Sequence, residues 1–193
     1  MGLSAKITIF LISQKIISAK DRDVYEYGFD LLIADCINFS LILLIGILWS
    51  QLKETVIYLI IFVGLRSVCG GYHAKTHCKC HICTIGAYIF FLFLQYILQD
   101  HITMSLLGDC IAAVPIILFA PITHANKPLS KQIYQRNRIA SIVFTIGLIT
   151  LASILSIFQY RESITISSTL WIVSLCMIPA INIHSLNSGR KPI

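Results

Sequence analysis

The sequence predicts an all-α, polytopic integral membrane protein with about six membrane segments and an N-terminal amphipathic helix. Three observations lead there. Apolar residues make up 56% of the 193 residues and charged ones only 12%, whereas a soluble domain carries about 25% charged residues. The apolar residues gather in stretches of roughly membrane length, separated by polar connectors. Lysine and arginine also alternate along the chain. Thirteen of the fifteen fall in the N-terminal region, residues 66–83, the loop 121–138 and the tail, and the other two, Lys53 and Arg161, fall in the connectors between. Cytoplasmic loops retain Lys and Arg, so this pattern predicts a multi-pass cell-membrane protein with both termini and residues 66–83 and 121–138 facing the cytoplasm.

The elements follow in order. Residues 3–19 carry Leu3, Ile7, Phe10, Leu11 and Ile17 toward one side of a helix, with Lys6, Ser13, Gln14 and Lys15 interleaved. Such a helix lies on the membrane surface or packs over the cytoplasmic end of the bundle, and the sequence favours neither. Lys6, Lys15 and Lys20 interrupt any signal-peptide core. Residues 20–30 read as a charged connector, with Tyr25 and Tyr27 at headgroup level. The six apolar segments are residues 31–49, 55–65, 82–98, 102–120, 140–158 and 164–183. The second is shorter than the roughly 20 residues of a straight span, so it either runs past Arg66 or enters the membrane only partly. The chain reads as one domain, residues 1–193. Residues 1–29 form the amphipathic cytoplasmic-face region, 30–187 the membrane bundle and 188–193 the tail. Seven cysteines, three of them (Cys36, Cys110 and Cys176) inside apolar runs, do not form a disulfide framework, and reduced thiols are expected.

Between the second and third segments lies the polar stretch Arg66 to Cys83, RSVCGGYHAKTHCKCHIC, with four cysteines, three histidines and three cations. A thiol becomes a useful nucleophile when an imidazole or cation raises its thiolate fraction. On a straight helix His73 and Cys80, seven residues apart, would be about 10.5 Å apart along the axis, too far for proton transfer, so that pairing requires the chain to turn between them. Gly70 and Gly71 supply backbone freedom just ahead of His73. His77 and Cys80, three apart, can meet on an unbroken helix, and the spacing alone does not choose between the histidines. A zinc site built from His73, His77, Cys80, His81 and Cys83 is the competing arrangement, but ligands crowded between membrane segments have no small domain to staple. Cys69, Cys83 and the three cysteines in apolar runs read as packing.

The same residues carry a resemblance. Arg66, Gly70-Gly71-Tyr72, His73-Ala74-Lys75 and Cys80, with Asn126-Lys127-Pro128-Leu129 downstream, resemble the accessory gene regulator B family. The resemblance implies a membrane cysteine endopeptidase of a Gram-positive bacterium. It would cleave a quorum-sensing propeptide near its C-terminal region and promote cyclisation to a thiolactone or lactone through an acyl-enzyme thioester. The implied catalytic pair is His73 and Cys80. The implied substrate-binding or supporting residues are Arg66, Gly70, Gly71, Lys75, Asn126, Lys127 and Pro128. The implied partners are the propeptide, membrane lipid and a second copy of the chain as a homodimer; no cofactor, metal or nucleic acid is called for. Asp35 and Asp109, inside apolar runs, are candidates for orienting the catalytic histidine or receiving Arg66. The rival reading is a non-enzymatic transporter or channel with a Cys/His metal-sensing or gating loop, in which these carboxylates would matter more than Cys80.

Overall fold

The computed structural model describes residues 2–70, 77–122 and 130–188, with residues 77–79, 102–103 and 181–188 described by backbone alone. The described residues are helical throughout, joined by short turns. They form α1 (Leu3–Ser13), α2 (Arg22–Leu48), α3 (Leu52–Cys69), α4 (His77–Leu98), α5 (Ile102–Phe119), α6 (Lys131–Ile157) and α7 (Glu162–Ser188). Four stretches are long and apolar enough to cross a membrane: Ala19–Leu48, Cys80–Leu98, Lys131–Ile157 and Glu162–Ala180. The sequence had suggested about six. Of the other two, α3 carries Lys53, Glu54 and Arg66 within its 18 residues, and α5, also 18 residues, contains Pro115.

The polarity of the bundle is inverted relative to a soluble protein. Leu44, Ile60, Phe93, Ile111 and Val143 point outward, while Asn38, Thr55, Asp109, Thr145 and Ser167 are buried. Apolar outer faces suit lipid, and small or hydroxyl side chains between helices let backbones approach closely. The central helix is α7: 72% of Glu162–Ala180 is buried, against 17–28% of the other three candidate spans. Every residue from Ser163 to Leu170 is buried. Two of its hydroxyls donate to main-chain carbonyls, Ser163 Oγ to Ala152 O at 2.9 Å and Thr169 Oγ1 to Thr165 O at 2.6 Å.

Two core clusters meet along α3 and α7. One holds Leu65 and Cys69 with Ile116, Ala120, Leu170 and Met177. The other holds Ile42, Tyr58, Tyr88 and Phe91 with Ile172, and the Tyr58 and Phe91 rings lie 4.5 Å apart. Trp171 packs against both.

Element boundaries differ from expectation where charged residues are good helix formers. Residues 22–30, read as connector, continue α2, with an Arg22–Glu26 pair at 3.5 Å one turn apart. Residues 131–138, read as loop, open α6, capped by Ser130 Oγ accepting from Ile133 N at 3.4 Å. The second segment runs past Arg66 to Cys69. The first helix stops at Ser13, well short of residue 19. It packs on α2 with Ser4, Ala5 and Thr8 buried, while Leu3 and Phe10 stay exposed.

Candidate functional site

The end of α3 and the start of α4 lie within the polar stretch Arg66 to Cys83 singled out in the sequence. Arg66 lies in the last turn of α3, and Cys80 lies in the first turn of α4, on the same unbroken helix as His77. Cys80, Cys83, Thr84 and Ala87, spaced as i, i+3, i+4 and i+7, form one stripe on α4, and Ile172, Leu175, Cys176 and Pro179 repeat that spacing on α7. With Phe62 and Arg66 of α3 they enclose a cavity of about 300 Å³. Exposed Cys83, Phe90 and Leu175 at its walls open it to the surroundings of the bundle.

Arg66 is half-buried, its guanidinium 5.9 Å above the centre of the Phe62 ring and Nη1 3.4 Å from the Gly70 carbonyl. Cys80 is half-buried, so its sulfur is reachable from the cavity. Among the described residues, the lining offers thiols, Cys80 among them, and the Arg66 guanidinium on a mostly apolar wall. Cys83 and Cys176, read from the sequence as packing, also line the cavity, and Cys176 packs against the Tyr58–Tyr88–Phe91 cluster as well; Cys69 is part of the core.

Gly70 ends α3 at φ +70° and ψ −153°. A Cβ there would lie 2.6 Å from the Ile122 carbonyl oxygen. The Ile122 amide donates to the Cys69 carbonyl at 3.0 Å, and Arg138 Nη1 donates to the Ala120 carbonyl at 2.6 Å. The ends of α3 and α5 and the first turns of α6 therefore meet. Of the residues singled out in the sequence, Arg66, Gly70 and Cys80 lie here. His73, Gly71, Lys75, Asn126, Lys127 and Pro128 lie outside the described residues.

The remaining candidates are engaged elsewhere. His81 Nδ1 is 2.7 Å from Oδ1 of buried Asn38 on α2. Asp109 accepts from Ser167 Oγ at 2.7 Å and Trp171 Nε1 at 3.1 Å, which ties α5 to α7; these donors, not Arg66, occupy it. Asp35 is exposed on α2. Among the described residues no group of three or more His, Cys, Asp or Glu is arranged to hold a metal ion.

Fold and site together define a helical bundle of membrane character whose thiol- and guanidinium-bearing cavity lies at the end where two polar segments begin. The chain matches the family described as Accessory gene regulator B over residues 4–178, and it belongs to that family. It is similar to Protein FsrB of Enterococcus faecalis, 40% identical over 52 residues, which is 27% of this chain and 22% of that protein. It is also similar to Accessory gene regulator protein B of Staphylococcus intermedius, 28% identical over 120 residues and 61% of each chain, and to an AgrB-like protein of Clostridium perfringens, 24% identical over 137 residues and 63% of each. These matches span less than two thirds of the length of each relative. No solved structure matches the chain.

Proposed function

We propose that this protein is a membrane cysteine endopeptidase that processes a quorum-sensing propeptide in an accessory gene regulator system. The observation that carries the reading is the cavity that Cys80 and Arg66 share, in a chain of the accessory gene regulator B family.

The chemistry is acyl transfer. His73 takes the Cys80 proton, and the thiolate attacks a carbonyl near the C-terminal region of the propeptide. As the tetrahedral intermediate collapses, the C–N bond breaks, the proton passes from His73 to the leaving amine, and a thioester to Cys80 remains. A thiol or hydroxyl of the same substrate then attacks the thioester. It closes a thiolactone or lactone ring and returns the Cys80 thiol. Ring closure competes with hydrolysis, so the acyl-enzyme benefits from a lining poor in water. Phe62, Ala87, Ile172 and Leu175 supply one, and they fit an apolar side chain beside the scissile bond. Arg66, the cation among the described residues of that lining, is suited to a substrate carboxylate or to the developing oxyanion.

In this reading the chain is a single membrane peptidase domain with its catalytic end toward the cytoplasm, where an unexported propeptide is available. A homodimer is part of the same proposal. The test is cleavage of a propeptide of the autoinducing-peptide precursor type by the full chain in lipid vesicles. Cys80→Ala and Cys80→Ser are expected to lower the rate by at least about a thousandfold, with the fold retained. Full cleavage by Cys80→Ser would refute the assignment.

A further inference from the structure

The junction of helix ends beside the cavity holds a residue that the proposed chemistry does not use. Arg138 sits two turns into α6, half-buried. Its Nη1 donates to the carbonyl of Ala120, the fully buried residue just past the end of α5. Two residues on, the Ile122 amide donates to the carbonyl of Cys69, itself fully buried at the last residue of α3. The contact leaves no slack, because Gly70 has room for no Cβ against the Ile122 oxygen. Three helices are thus joined by two hydrogen bonds to main-chain carbonyls at one point.

Along the sequence, that point is where both polar segments start. His73 follows Gly70 by three residues, and Asn126 follows Ile122 by four. We infer that Arg138 is a positioning residue for the thiol–imidazole site. By holding Ala120 it keeps residues 120–122 against Cys69 and Gly70, and so fixes where the segment bearing His73 and the segment bearing Asn126 leave the bundle. This inference rests on the peptidase reading. A guanidinium suits the task because it stays charged and its donors are held in a rigid plane. The carbonyls at a helix C-terminus lack helical donors and carry partial negative charge. A helix cap alone would serve stability; the added claim is that the clamp sets the reactivity of Cys80.

The experiment uses the full chain in lipid vesicles with three variants: Arg138→Gln, Arg138→Lys and the control Arg136→Gln. One readout is amide hydrogen exchange at Ile122, which does not depend on activity. The other is the pH profile of Cys80 alkylation by iodoacetamide, with buried Cys69 as an internal reporter of unfolding. The expected result is faster exchange at Ile122 in Arg138→Gln and a Cys80 profile moved toward that of an ordinary thiol. A shift of about one pH unit would mean roughly tenfold slower alkylation at mildly acidic pH. Cys69 should stay unlabelled, Arg138→Lys should recover part of both effects, and Arg136→Gln should change neither. Unchanged exchange at Ile122 would overturn the clamp. Faster exchange with an unmoved Cys80 profile would reduce Arg138 to a helix cap and overturn the positioning role, as would loss of the Cys80 profile only together with Cys69 labelling. An ordinary wild-type profile that His73→Ala does not alter would refute the peptidase reading instead, and exchange at Ile122 would still decide the clamp.

Discussion

At φ +70° and ψ −153°, Gly70 occupies a backbone region essentially restricted to glycine. Strain of about 1–3 kcal/mol is expected for any side chain in that region, and an added methyl would also press on the Ile122 oxygen. Gly70→Ala should therefore lower the thermal unfolding midpoint and depress Cys80-dependent cleavage; an unchanged midpoint would show that the junction gives way cheaply. The need for backbone freedom at this position was legible, because a Gly-Gly pair just ahead of His73, the proposed base, requires a reason. The role of Arg138 was not legible. An arginine sixteen residues beyond Ile122 shows nothing in the sequence of the buried carbonyl it serves. That Cys176, read as packing, also lines the cavity was not legible, because a cysteine in an apolar run has the same local signature whether it faces a core or a cavity.

At the level of elements, α5 and α7 are held together by Asp109, Ser167 and Trp171. Trp171 fits there because Gly108 has no side chain, and a Cβ on Gly108 would come within 1.8 Å of the indole. Trp171 neighbours Ile172 on the cavity wall, so this contact sets the register of the α7 stripe that faces Cys80. Asp109→Ala removes the acceptor for one buried donor, Ser167, and one half-buried donor, Trp171, and should cost about 1–3 kcal/mol for each buried group left unpaired. Asp109→Asn keeps one acceptor oxygen and should lose less. Thermal unfolding of the two variants checks the order, and equal losses would mean that the donors find other partners. The sequence marked Asp109 as unusual but did not identify its partners. Its clue was the run Ser163 to Thr169, where small hydroxyl residues inside an apolar segment mark a helix that others pack around.

For the whole molecule, the all-helical class and the apolar segments were legible because length and hydropathy suffice to recognise them. Helix ends were less legible. Charged residues continue a helix as readily as they leave it, as residues 22–30 of α2 and 131–138 of α6 show. The exposed apolar belt and buried hydroxyls suit a lipid environment. Ser130 and Tyr160 flank α6 at opposite ends. If that helix crosses the bilayer, single cysteines at Ser130→Cys and Tyr160→Cys, in a chain otherwise free of cysteine, should react with an impermeant maleimide from opposite sides of oriented vesicles. Labelling of both from one side would contradict a crossing by α6.

The central claim is that Cys80 is an activated nucleophile paired with His73. Site-resolved alkylation of the full chain in lipid, with limiting iodoacetamide at mildly acidic pH, tests it most directly. The account predicts preferential modification of Cys80 over Cys78 and Cys83 in the wild type, and loss of that preference in His73→Ala. Slow, uniform modification of all three, unchanged by His73→Ala, would leave no activated thiolate and contradict it.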